Sequence, residues 1–155
     1  MIGPEPMFRH MTKYRTLPHL LFVCVENSCR SQMAEGFARA LGRDRVAAHS
    51  AGSRPSGRVN PKAVRFMAER GVDLGEQRSK GLDDLPADVS WDYVVTMGCG
   101  DACPHLRAGH RLDWALPDPK DMEDDGFRAV RDRIEELVRG LIAEATGATL
   151  TRQES

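Results

Sequence analysis

The sequence predicts a single-domain α/β fold: a four-stranded parallel sheet with helices on both faces. Three observations carry that expectation. Short apolar or β-branched runs near residues 19–25, 45–50, 91–97 and 109–114 alternate with segments of helical periodicity. Alternation of this kind builds parallel sheets, whose strands are buried on both faces. At 155 residues, with 41% hydrophobic and 29% charged residues, the chain is long enough for one core and too short for two.

The first strand is read from Leu20, Leu21, Phe22 and Val23, and the helix after it from Met33, Ala34, Phe37 and Leu41, with Gly42 as its stop. Arg45 to Ser50 reads as the second strand. In NPKAVRFMAERG, Asn60 is the cap, Pro61 the first helical position and Gly71 the stop. SWDYVVTM has the content of a buried strand. DDGFRAVRDRIEELVRGLIAEATG reads as a long amphipathic helix whose core stripe is Phe127, Val130, Ile134, Leu137, Val138 and Leu141. Residues 1–17 read as a flexible extension, with Met7 and Met11 as alternative starts, 18–146 as the domain, and 147–155 as a tail.

Charge and hydropathy exclude some function classes. A formal net charge of −1 leaves no basic footprint for nucleic acid. The N-terminal segment lacks an apolar signal region, and the stretch around Leu20 to Val25 is far short of the ~20 residues a membrane span requires. The expected setting is the cytoplasm.

The chemistry concentrates in LLFVCVENSCRSQMAE, where five residues separate Cys24 from Arg30 across a strand-to-helix turn. Backbone N–H groups of Val25, Glu26, Asn27, Ser28, Cys29 and Arg30 would face into that loop, where the helix dipole favours a tetrahedral anion. The same field, with Arg30 alongside, favours a Cys24 thiolate as nucleophile. Asn27 is the loop residue best suited to a left-handed backbone, and Ser31 is placed to donate its hydroxyl to Cys24. Glu26 must turn its carboxylate away from a bound oxyanion or repel it.

These residues resemble the low-molecular-weight tyrosine phosphatase superfamily, and within it the arsenate reductases coupled to thioredoxin or a small thiol. The resemblance spans roughly Pro18 to Thr146. It rests on CVENSCRSQMAE, HSAG from His49, the helix and turn from Asn60 to Gly75, VVTMGCGDACP from Val94, and LPDP from Leu116. It implies that arsenate binds in the loop, with phosphate competing, and that Asp118 is the general acid for the departing oxygen. On local sequence alone Asp118 reads as a turn former. Lys120 stands where tyrosine phosphatases commonly carry a tyrosine, so no aromatic wall for phosphotyrosine is evident. In some relatives a potassium ion sits behind the loop. The matching positions here are Asn27, Glu35, Ser50 and Lys80, and a lysine in place of an acid implies that its ammonium pairs with Glu35 and removes the need for the ion.

The four cysteines divide into Cys24 and Cys29 in the loop, and Cys99 and Cys103 in GCGDACP. Gaps of four and three residues match structural zinc knuckles poorly, and zinc would consume the nucleophile. On one helical turn Cys99 and Cys103 have Cβ atoms about 5–6 Å apart, too far for a disulfide near 3.8 Å. Gly98, Gly100 and Pro104 make the local unwinding that a bridge needs inexpensive. The resemblance implies that they are resolving thiols, though its usual spacing is wider. The reductant is then thioredoxin, reached by an internal Cys99–Cys103 relay, or a small thiol such as glutathione or mycothiol with a glutaredoxin-like partner. No cofactor or metal is called for, and a monomer is expected. Phosphomonoester hydrolysis, and a non-catalytic thiol redox or zinc module, are the alternatives.

Overall fold

The computed structural model describes residues 17–98 and 106–147. The element order is β1 (His19–Cys24), α1 (Arg30–Gly42), β2 (Ala47–Gly52), α2 (Pro61–Ala68), β3 (Trp91–Thr96), β4 (Ala108–Asp113) and α3 (Asp124–Thr146). Short 3-10 turns occupy Arg43–Arg45 and Leu82–Asp84. The four strands form one sheet in the order β2-β1-β3-β4, with every pairing parallel.

β1 lies at the centre, which explains its unbroken apolar run. Leu20, Phe22 and Cys24 face the main core, built with Met33, Phe37, Phe66, Met67, Phe127, Ile134 and Val138 from the three α-helices. Leu21 and Val23 face the other side with Ala51 and Val94. Leu82 and Leu85, from the 3-10 turn and the residue after it, pack there with Leu106. Among the described residues the three α-helices thus share one face, where the sequence reading puts helices on both, and the second face carries a 3-10 turn. The β1–β2 register pairs Val23 with Ala51 and Cys24 with Gly52.

Several boundaries differ from the sequence reading for identifiable reasons. Arg45 belongs to the 3-10 turn after α1, so β2 starts at Ala47 and runs on to Gly52 under the register imposed by β1. Gly42 is the last residue of α1 with an ordinary φ of −88°, and the left-handed residue is Arg43 at φ 48°. α2 is capped by Asn60, whose side chain accepts from the Lys62 N–H at 2.8 Å, and ends at Ala68, before the left-handed Gly71.

In α3, Leu137 is only partly buried and Ile142 is buried. The helix also buries Arg131 and Glu135. Arg131 donates to the Phe66 carbonyl at 2.9 Å and to Glu69 at 2.7 Å, while Glu135 accepts from Arg70 at 2.9 Å, so ion pairs fasten α3 to the C-terminal end of α2 and the turn after it. Hydrogen bonds from Arg128 and Arg131 hold the Glu69 carboxyl down at about 2. Among the described residues no helix is long and apolar enough to cross a membrane. Of the expected extension 1–17 only Leu17, and of the tail 147–155 only Gly147, fall within the described residues.

Candidate active site

Cys24 ends β1 and is 2% exposed. The loop that follows is fixed by its own carbonyls. Cys24 O accepts from Ser53 N at 3.3 Å, Val25 O from Arg54 N at 2.8 Å, Glu26 O from Ser56 N at 3.1 Å, and Ser28 O from Asn60 N at 3.0 Å. Every peptide bond among the described residues is trans. In a trans peptide the next residue's N–H points opposite to the carbonyl, so the N–H groups of Val25, Glu26, Asn27 and Cys29 are turned away from the 53–60 segment. On that other side Cys24, Glu26, Ser28, Cys29, Arg30 and Asp118 line one small cavity. α1 opens at Arg30 with no side-chain cap and no acidic residue in its first turn, leaving its first N–H groups for an anion.

Gly52 makes the loop's approach possible. A Cβ there would stand 2.5 Å from Val25 O and 2.9 Å from Asn27 N, both backbone atoms that cannot yield.

Asn27, fully buried at φ 52°, is the centre of a polar network. Its Nδ2 donates to Ser31 Oγ at 2.7 Å and Ser50 Oγ at 2.9 Å, and its Oδ1 accepts from Lys80 N at 2.9 Å and Gln32 Nε2 at 2.8 Å. Ser31 Oγ lies 2.9 Å from Cys24 Sγ. A thiolate only accepts, so with Asn27 donating into Ser31 the serine proton is the one directed at sulfur. Ser50 in turn donates to Glu35, which is 1% exposed and paired with Arg39 and with Lys80 Nζ at 3.5 Å. Two cationic side chains thus face the buried carboxylate.

Arg30 is 7% exposed and is steered by carbonyls: Nη1 donates to Met97 O at 2.7 Å and to Leu116 O at 3.0 Å. Its Nη2 stands 3.7 Å from Asp118 Oδ2. Gly98, at φ 83°, clears the space, since a Cβ there would meet Arg30 Nη1 at 2.6 Å and Leu116 O at 2.9 Å. Asp118 Oδ1 also accepts from Lys120 N at 3.1 Å, so its turn-forming role coexists with its place in the cavity wall. Cys29, 5% exposed, has its thiol pushed up to about 12, first by burial and then by the nearby Asp118 and Cys24 charges. It stays protonated beside a reacting Cys24. Glu26 turns its carboxylate to Lys120, with Oε2 and Nζ 3.2 Å apart.

The structure therefore brings together Cys24, Val25, Glu26, Asn27, Ser28, Cys29, Arg30, Ser31 and Asp118, with Glu35, Ser50 and Lys80 behind the loop. Cys99 and Cys103 lie outside the described residues. Sequence reasoning missed Gln32 and Gln77. Gln32 Nε2 also donates to Arg78 O at 2.8 Å, and its Oε1 accepts from Gln77 Nε2 at 2.7 Å. Their partners are some 45 residues apart in sequence, and neither residue stands out in its own segment.

The sequence matches the family described as low molecular weight phosphotyrosine protein phosphatase over residues 19–154. The chain belongs to that family. Within it, the chain is 41% identical over 128 residues to the glutaredoxin arsenate reductase of Synechocystis sp., a match covering 81% of this chain and 96% of that protein. It is 40% identical over 119 residues to an arsenate reductase of Staphylococcus aureus, covering 74% and 88% of the two chains. Among solved family structures, an arsenate reductase in the phosphate binding state superposes with a TM-score of 0.74 at 38% identity, covering 83% of this chain and 99% of that one.

Proposed function

We propose that the chain reduces arsenate to arsenite. The observation that carries this reading is the buried Cys24 sulfur under an inward-facing ring of N–H groups, with Ser31 at 2.9 Å on one side and Arg30 and Asp118 converging on the other. Such a site takes a tetrahedral oxyanion, and similarity to relatives named arsenate reductases selects arsenate as that oxyanion.

Arsenate is held by the loop N–H groups and the free edge of the Arg30 fork. Cys24 sulfur attacks arsenic, Asp118 gives its proton to the departing oxygen, and water leaves as the S–As bond forms. A second thiolate then attacks Cys24 sulfur. An S–S bond forms, the S–As bond breaks, and its electron pair stays on arsenic, which departs as arsenite. In our reading that thiol is Cys99, and Cys103 resolves the disulfide for a thioredoxin- or glutaredoxin-type reductant. The Synechocystis relative is named for glutaredoxin, which supports that type of partner. The Lys80 ammonium and Arg39 beside Glu35 make potassium unnecessary, and the protein works as a cytoplasmic monomer. A phosphatase reading is favoured by the family's name and by Asp118, which would serve a phosphomonoester equally well.

The deciding experiment assays arsenite formation with glutaredoxin and glutathione or with thioredoxin, in parallel with aryl phosphate hydrolysis. Arsenite produced with either reductant, and lost in Cys24→Ser, is expected. Aryl phosphate turnover without arsenite would install the phosphatase reading. For the relay, one turnover without added thiol followed by peptide mapping should give a Cys99–Cys103 disulfide, and a trapped Cys24–Cys99 disulfide in Cys103→Ser. Arsenite that appears only when a small thiol is supplied, with Cys99→Ser fully active, would assign the route to that thiol.

A further inference from the structure

Glu26 is an unexpected residue for an anion-binding loop. Its carbonyl accepts from Ser56 N at 3.1 Å and Ser79 Oγ at 3.0 Å, so its backbone, and with it the root of the side chain, is held at the cavity. The residue lines the cavity with Cys24, Ser28, Cys29, Arg30 and Asp118. A negative charge there repels a doubly charged oxyanion over a few ångströms, where partial exposure weakens the field without abolishing it.

Lys120 meets that charge from the opposite loop, 94 residues away in sequence. Its ammonium is 3.2 Å from Glu26 Oε2, while its own backbone N–H bonds Asp118 Oδ1. The Glu26 hydrogen bond, followed by the Glu26 and Asp118 charges, raises the lysine above its ordinary range and keeps it cationic. Both side chains are 42% exposed, and an ion pair so wet contributes little to folding. Its effect falls on whatever charge enters the cavity.

We infer that Lys120 is a specificity residue for the oxyanion: it neutralises Glu26 and so lets a small, highly charged inorganic anion enter a loop that carries a carboxylate. This rests on the oxyanion-binding part of the proposed function and not on the redox steps. Lys120 acts through Glu26 and does not touch the reacting atoms.

The test is calorimetric titration of the reduced, full-length protein with inorganic phosphate, comparing wild type, Lys120→Met, Glu26→Gln and the double variant at low and high salt. Lys120→Met should bind phosphate roughly tenfold more weakly at low ionic strength, and that gap should shrink to about two- to threefold at 0.5 M salt as the field is screened. Glu26→Gln should bind about two- to threefold more tightly, and the double variant should return to within about threefold of wild type, the non-additivity being the signature of compensation. Lys120→Met binding like wild type would overturn the inference. So would a double variant as weak as Lys120→Met, because the ammonium would then be holding the anion itself. A merely structural lysine would give neither the salt dependence nor the rescue. Phosphate binding needs no arsenate turnover, so failure of the arsenate reading would leave this test standing.

Discussion

The two sides of the cavity are built in opposite ways. On the nucleophile side, Asn27, Ser31, Ser50 and Glu35 are essentially without solvent exposure and share an unbroken set of hydrogen bonds reaching Cys24. On the acid side, Asp118 is 39% exposed, sits 3.7 Å from Arg30, and is tied down by its own turn and by the exposed Lys120–Glu26 pair. The first side has its geometry fixed by folding. The second lies at the surface, held by its own turn and by exposed ion pairs. Substitutions on the nucleophile side should therefore damage stability and activity together, and substitutions on the acid side activity alone.

The largest expected effect is at the sulfur. Cys24→Ser should abolish arsenite formation while phosphate still binds, as measured by steady-state turnover beside titration; activity within a few-fold of wild type would remove Cys24 as the nucleophile. Asp118→Asn should slow arsenate-dependent loss of thiol by about 10²–10⁴-fold in a pre-steady-state measurement, the usual range for a general acid. Its urea midpoint should stay within about 0.5 kcal/mol of wild type, as for a surface position. Asn27→Ala should lower activity and stability together: about 3–5 kcal/mol lost in urea unfolding, because Ser31, Ser50, Gln32 and the Lys80 N–H lose a buried partner and alanine tolerates φ 52° poorly. If Asn27→Ala proved stable and Asp118→Asn did not, the contrast between the two sides would be reversed.

A smaller effect distinguishes the site from the scaffold behind it. The Glu69 carboxyl is held at about 2 against an ordinary 4.5 by Arg128 and Arg131. A depressed carboxyl contributes stability above its unfolded value and loses it as pH falls toward the folded one. Glu69→Gln should thus be less stable than wild type at neutral pH, with the gap closing between about pH 4.5 and 2 in acid-unfolding curves, and phosphate affinity at neutral pH unmoved. A gap independent of pH would mean that packing, not charge, makes the difference.

What the sequence disclosed follows the range of the interactions involved. β1, α1, the Asn60 cap and the left-handed backbone of Asn27 are local matters of periodicity, capping and loop chemistry, and were legible. In α3 the stripe was legible but its edge was not: Ile142 is buried and Leu137 only partly, since the depth of each position depends on what α1 and α2 present to it. The charged residues Arg131 and Glu135 drew no role from the sequence and are buried, because Glu69 and Arg70 in the turn after α2 reach them. Gln32, Gln77 and the Lys120 partnership with Glu26 depend on segments that only the fold makes neighbours. Glu26 itself posed the right question in the sequence, that of where its carboxylate turns, without supplying the lysine that answers it.

The pairing of Cys24 with Gly52 at the end of the parallel β1–β2 ladder has a kinetic consequence. Successive residues of β1 alternate between the two faces, so a chain that docks β1 one residue out of step delivers Val23 or Val25 to the nucleophile's position and drives the thiol toward the opposite side. No halfway arrangement preserves partial chemistry. A molecule whose β1 docks out of step would carry no thiol at the cavity and would be inert. Catalytic rate per mole, followed through refolding, therefore counts correctly aligned molecules and serves as a digital readout of sheet assembly, where circular dichroism, which sees strands in either alignment, gives only an analogue one.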